Sequence, residues 1–171
     1  MREGHSSENK ILIQPRKNQP TMTDKFVLRY FAIRGKAEVI RLTLEQAGVP
    51  YEDVRFGNEW RESLKQEYEE QGITVFGQVP VLSVGDKHLC QSRAIIRYLA
   101  RRVGADGDNI DDQYRVDMIV DGVEDWMMTY ARLVYSNSFN QDLPYYKQNI
   151  PASLKPFDRL LGDSAEYFVG E

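Results

Sequence analysis

Between Phe26 and Phe31 the chain alternates. Phe26, Leu28 and Tyr30 fall on one face and Val27, Arg29 and Phe31 on the other, and the aromatic and β-branched content predicts a strand. Gly35 ends that pattern. From Ala37 the period lengthens: Ala37, Ile40, Leu44 and Ala47 form an apolar stripe, and Glu38, Arg41 and Glu45 a polar one. This predicts an amphipathic helix, stopped by Gly48 and Pro50. Val49–Phe56 supplies a second strand, and strand, helix and strand in this order predict a βαβ unit with a parallel pair. Residues 57–76 show no clean period: Trp60 and Leu64 sit among charges, and the acidic stretch 66–71 reads as a short helix or an irregular, mobile loop. Two further runs, Phe76–Val84 and His88–Gln91, flank Gly85-Asp86-Lys87 and predict an antiparallel hairpin. Ser92, a preferred N-cap, precedes a helix with Ile95, Ile96, Leu99 and Val103 on one face.

Gly104–Asn109 is a Gly/Asp-rich linker, and beyond it the pattern is helical only. Val116, Ile119, Val120, Val123, Trp126, Met127, Tyr130, Leu133 and Val134 keep a spacing of three or four, which predicts one long helix. Leu154, Phe157, Leu160 and Leu161 mark a last helical stretch. The expected organisation is a tail at 1–24, an α/β domain over 25–104 and an all-α domain over 110–171.

Composition narrows the function classes. With 171 residues, 42% hydrophobic and 28% charged, the chain has the balance of a folded globular protein. A net charge of −4 argues against nucleic acid as a main partner, because phosphate binding wants a basic surface. No apolar run approaches the ~20 residues of a membrane span. The tail is polar; its longest apolar run, Ile11-Leu12-Ile13, is too short for a signal-peptide core, so a flexible tail is expected. The single cysteine, Cys90, forms no disulfide, CxxC pair or zinc set, which points to a reducing, cytosolic compartment and to a buried, inert thiol. His5 and His88 are isolated. Asp121 and Asp125 share a helix face with Asp117 and Glu124 nearby; a divalent cation could bind there, but a solvated acidic face is the commoner arrangement, and no metal site is expected.

Several short stretches resemble the cytosolic glutathione transferases, most closely the pi class, with the sigma class as near neighbour. They are Tyr30-Phe-Ala-Ile-Arg-Gly35, Phe76-Gly-Gln-Val-Pro80, Gln91-Ser92 at a helix start, Val116-Asp-Met-Ile-Val-Asp-Gly-Val-Glu-Asp125 and Leu154-Lys-Pro-Phe157. They follow the family's order from Lys25 to Glu171. The resemblance implies a thioredoxin-like domain (βαβ–ββα) followed by an α-helical domain. It also implies conjugation of the glutathione thiolate to small hydrophobic electrophiles, with glutathione as co-substrate, no other cofactor, and a homodimer.

It further implies that Tyr30 is the catalytic tyrosine. The chemistry fits that role. A free thiol has a pKa of ~8.5, a phenol near ~10 remains a donor at neutral pH, and a hydrogen bond to a charged acceptor contributes ~1.5–3 kcal/mol. Such a bond lowers the thiol pKa by ~1–2. Taken alone, Tyr30 reads more readily as a strand aromatic filling the core; the rest of the set favours catalysis. Gln91 and Ser92, at a helix N-terminus, would hold the γ-glutamyl carboxylate, although an ordinary Ser cap looks the same. Val79 before a cis Pro80 would pair its backbone with the cysteinyl part of the peptide, with Gln78 nearby. Trp60 and Lys65 match residues that hold the glycyl end, and a solvated loop is the other reading of both. Lys36 stands where the family has an arginine; it keeps the charge and loses the planar fork. Phe76 falls at the aromatic key that enters the partner subunit. Tyr135 matches a tyrosine of the electrophile pocket, whose other walls would be Phe31, Ile33 and Tyr130. Asp125 would reach the glutathione amino group bound in the neighbouring subunit.

Related chains continue past the equivalent of Glu171, so the helical domain is expected to be incomplete at its C-terminus. Exposed apolar surface on the 116–134 helix and lowered stability follow from that expectation. The alternative to an enzyme is a non-catalytic relative that binds glutathione, hydrophobic ligands or a protein partner.

Overall fold

The computed structural model describes residues 24–162 and 167–169. The tail expected over 1–24 therefore lies, apart from Asp24, outside the described residues. The chain divides into two compact units at the junction between Ala105 and Asp106.

The first unit is built on a four-stranded sheet of order β2-β1-β3-β4. Strand β1 (Phe26–Phe31) runs parallel to β2 (Tyr51–Phe56) and antiparallel to β3 (Val81–Val84), and β4 (Lys87–Cys90) closes the hairpin. Helix α1 (Glu38–Gln46) connects the parallel pair, and α3 (Ser92–Val103) follows the hairpin. Their apolar stripes cover one face of the sheet. There Ile40, Leu44, Ile95 and Leu99 meet Phe26, Leu28, Tyr30 and Leu82, most of them without measurable exposure. Each such side chain stabilises the fold by ~1.5–3 kcal/mol. The other face is closed by a turn of π-helix (Trp60–Leu64) and α2 (Lys65–Glu70), over a smaller cluster of Phe56, Trp60, Tyr68, Ile73 and Val81.

The structure refines three local readings. The acidic stretch 66–71 is mostly helix, with Tyr68 buried beneath it and the side-chain bonds Gln66–Glu70 and Gln71–Glu67 along its outer face. Between β1 and α1 a single 3₁₀ turn, Gly35–Ala37, intervenes. The cap of α3 is Gln91, with Ser92 already the first helical residue; Gln91 has φ 70°, and no side-chain bond caps the helix.

The second unit holds two long helices. Asn109 caps α4 (Ile110–Val134), its Oδ1 accepting the amides of Asp111 and Asp112 at 3.0 Å each. Helix α5 spans Phe139–Leu161, far longer than the stretch the sequence pattern marks, with Pro144, Pro151 and Pro156 inside it. Packing holds α5 to α4: Phe157 lies 3.5 Å from where a Cβ on Gly122 would stand, and Arg115 Nη2 donates to the Leu160 carbonyl at 2.8 Å. Val123, Met127, Met128, Tyr130 and Val134 on α4 remain partly exposed, by 37–47%.

Candidate functional site

Tyr30 is the last inward-facing residue of β1 and is itself buried. Its ring lies under the turn that follows. Gly35 has φ +42°, and a Cβ on it would stand 2.6 Å from Tyr30 Oη and 3.0 Å from Cε1. Both the backbone angle and the close approach therefore require glycine. One residue further on, the Lys36 amide donates to Tyr30 Oη at 3.1 Å. The phenol oxygen thus accepts a hydrogen bond from the turn and directs its own proton elsewhere.

A small cleft opens beside this turn. Lys36, Phe76, Gln78, Val79, Pro80, Cys90, Gln91 and Ser92 line it. The Val79–Pro80 peptide is cis. Val79 stands outside the β-ladder, whose register with β1 ends at the Arg29–Val81 pair. Opposite, the Ser92 amide stands ahead of the first intrahelical bond of α3, from Ile95 N–H to the Gln91 carbonyl at 2.9 Å. The cleft therefore offers a strand-edge backbone, a helix N-terminus and an ammonium side chain, a set suited to a small peptide bearing carboxylates.

Seven of the residues named from the sequence for glutathione or the dimer come together at this cleft: Lys36, Phe76, Gln78, Val79, Pro80, Gln91 and Ser92. Phe76, with the neighbouring Val75, projects into solvent, at 60% and 76% exposure. Trp60 is not on a solvated loop. It is buried, stacked on Phe56 at 5.4 Å and edge-on to Tyr68 and Phe31. Lys65 starts α2, and its Cε lies 2.9 Å from where a Gly77 Cβ would stand, so it reaches the segment between Phe76 and Gln78. Phe31 is partly buried and packs edge-on against Tyr30, Phe56 and Trp60, whereas Ile33 is exposed on the turn. Tyr130, Tyr135 and Asp125 belong to the second unit. Tyr130 sits 6.0 Å from the Tyr146 ring, Tyr135 caps α4 in the open, and Asp125 is exposed on α4. Among the described residues no group of three or more His, Cys, Asp or Glu could hold a metal ion.

Two features escape a reading of the sequence. Thr74 is buried and clamps the loop that enters the cleft: its Oγ1 donates to the Gln78 carbonyl at 3.0 Å and accepts the Gln78 amide at 3.2 Å. Arg41 lies on the polar stripe of α1 yet is buried, its Nε donating to Asp53 Oδ2 and its Nη1 to Glu38 Oε2, both at 3.0 Å. Burial opposes its charge, but the hydrogen bonds and negative charges of Glu38 and Asp53 prevail and raise its pKa above the ordinary arginine value. Cys90 is half-buried, and its thiol faces the Ile73 carbonyl at 3.9 Å, a weak contact.

A larger groove, of about 540 Å³, lies along α4 and α5 within the second unit. Trp126, Leu133, Tyr145, Tyr146 and Ile150 form its apolar walls, and Asp142 in it is held by the Ser136 and Ser138 hydroxyls.

Known proteins are similar to this chain in sequence and in fold. Residues 26–101 match the model of the glutathione S-transferase N-terminal domain. Glutathione S-transferase 2 of Onchocerca volvulus is 36% identical over 85% of this chain and 69% of its own length. Glutathione S-transferase P of Caenorhabditis elegans is 36% identical over 84% and 68%. Among solved structures, the pi-class glutathione S-transferase of Onchocerca volvulus superposes with a TM-score of 0.71 at 35% identity, over 80% of this chain and 62% of that one. A nu-class enzyme from Haemonchus contortus gives 0.71 at 30% identity, over 86% and 74%. With the thioredoxin-like sheet, the cis Val79–Pro80 peptide and a similarity that runs on through the helical unit, the chain belongs to the glutathione S-transferase family.

Proposed function

We propose that this protein conjugates glutathione to small hydrophobic electrophiles and that the Tyr30 hydroxyl stabilises the glutathione thiolate. The observation that carries this reading is the Lys36 N–H bond to Tyr30 Oη at 3.1 Å, beside a cleft of peptide-binding character. With one lone pair of the phenol oxygen engaged, its proton is left for an acceptor outside the core, and a thiolate is such an acceptor. Glutathione would lie with its γ-glutamyl carboxylate at Gln91 and Ser92, its cysteinyl backbone against Val79, Gln78 beside it, and its glycyl carboxylate toward Lys36 and Lys65. Trp60 has its role here in the core that supports this wall.

No metal or organic cofactor enters the proposed reaction: the thiolate attacks the electrophilic carbon, and the leaving group departs with its electron pair. A homodimer keyed by Phe76, with Asp125 directed to the second copy's glutathione and Ile33, Tyr130 and Tyr135 toward the electrophile, completes the proposal, as does a cytosolic setting. A second reading, a relative that binds hydrophobic ligands without turnover, draws on the partly exposed apolar face of α4.

Conjugation of glutathione to an aryl halide separates the two. The enzyme reading expects turnover that falls ~10- to 100-fold in Tyr30→Phe, the loss of one charge-assisted hydrogen bond. Glutathione binding without turnover in the wild-type chain would favour the second reading.

A further inference from the structure

We propose that Arg41 is a positioning residue for the Tyr30 hydroxyl, acting through the backbone of the 33–36 turn. This rests on the role of Tyr30 proposed above.

The guanidinium grips the turn at one end while Tyr30 is held at the other. Arg41 Nη1 donates to the Ile33 carbonyl at 3.0 Å and to the Arg34 carbonyl at 3.4 Å. These are the last two carbonyls before Gly35. The first amide after Gly35 is that of Lys36, the one that donates to Tyr30 Oη. Gly35, between them, packs closely against the phenol group. The other side of the guanidinium is anchored to the sheet: Nε bonds Asp53, which also takes Arg55 Nε at 2.7 Å. Asp53 pairs with Leu28 and Arg55 with Tyr30 in the β1–β2 register, so the anchor belongs to the strand pair that carries the tyrosine.

A net gain in stability is a weak account of this arrangement. Arg41 Nη2 and Asp53 Oδ1 are buried without a hydrogen-bond partner among the described residues. A buried ion pair left incompletely satisfied contributes little or nothing net to folding. What the buried charge does achieve is a fixed separation between the carbonyls of residues 33 and 34 and the amide of residue 36. A reacting group misplaced by ~1 Å can lose ~100-fold in rate, so a turn held this way matters to the hydroxyl it aims.

The test is a double-mutant cycle with a second readout. At saturating glutathione, Arg41→Gln should lower the conjugation rate ~10- to 100-fold. In a Tyr30→Phe background the same substitution should cost little more, because the hydroxyl to be aimed is gone. Losses that multiply across the two backgrounds would overturn the proposal. Amide hydrogen exchange provides the readout that needs no turnover. The Lys36 amide should exchange faster in Arg41→Gln while the Leu28 amide in β1 stays protected; an unchanged Lys36 amide, or equal loss at both, would overturn it. Arg41→Lys keeps the charge without the fork, and should fall between wild type and Arg41→Gln in both readouts; it serves alone, by the same criteria, where Arg41→Gln does not fold. If the wild-type chain shows no conjugation, the catalytic reading fails while hydrogen exchange still decides whether Arg41 holds the turn.

Discussion

The two units of this chain use apolar side chains in opposite ways. Among the described residues, every buried hydrophobic side chain except Leu133 lies in the first unit. There the sheet is covered on both faces by helical elements. In the second unit two helices face each other. A helix pair can bury one stripe from each partner, and α4 carries more apolar residues than one stripe holds. Val123, Met127, Met128, Tyr130 and Val134 remain partly open, and a groove of about 540 Å³ runs along the pair. The reacting hydroxyl proposed here sits where the packing is closed. The residues assigned to a variable, hydrophobic electrophile sit partly where it is open. A hydroxyl that must be aimed within a fraction of an ångström needs a rigid surround; a wall that accepts varied apolar molecules does not.

That contrast can be broken by substitution. Leu82→Ala, in the centre of the sheet with no exposure, should destabilise the protein by ~2–5 kcal/mol in a denaturant titration. A smaller effect on stability, but a sharp one on rate, is expected from Gly35→Ala. The added methyl meets Tyr30 Oη at 2.6 Å in a backbone conformation that costs alanine ~1–2 kcal/mol, and conjugation should fall at least ~10-fold. Thr74→Val removes both bonds that clamp Gln78 and should cost ~1–3 kcal/mol, with weaker glutathione binding measured by calorimetry. Met127→Ala on the open face of α4, at 37% exposure, should shift unfolding by no more than ~1 kcal/mol. A Met127 effect as large as that of Leu82 would remove the distinction between the two units.

Much of the first unit was legible in the chain because local and global signals agree there. The alternation through Phe26–Phe31, the stripe from Ala37 to Ala47 and the Gly85-Asp86 turn each state in sequence what the fold then uses. Gly35 announced a turn; only the structure shows that the same glycine also makes room for the phenol ring. Trp60 was misleading because its neighbours in sequence are charged while its neighbours in space are Phe31, Phe56 and Tyr68. Arg41 reads in sequence as part of a polar stripe, since nothing in a helical period shows that Asp53 on β2 will stand opposite it. Half of α5 was hidden by Pro144 and Pro151, which remove backbone donors and read as stops. That half is nonetheless packed on α4, where the Tyr146 ring meets Tyr130 at 6.0 Å.

The central claim is that Tyr30, aimed by the Lys36 amide, stabilises a thiolate. It is tested most directly by titrating the ultraviolet thiolate absorbance of bound glutathione in the wild-type protein and in Tyr30→Phe. The wild-type complex should form thiolate at a pH lower by ~1–2 than the variant does, the equivalent of one charge-assisted hydrogen bond. Superimposable titrations, with glutathione bound in both, would contradict it.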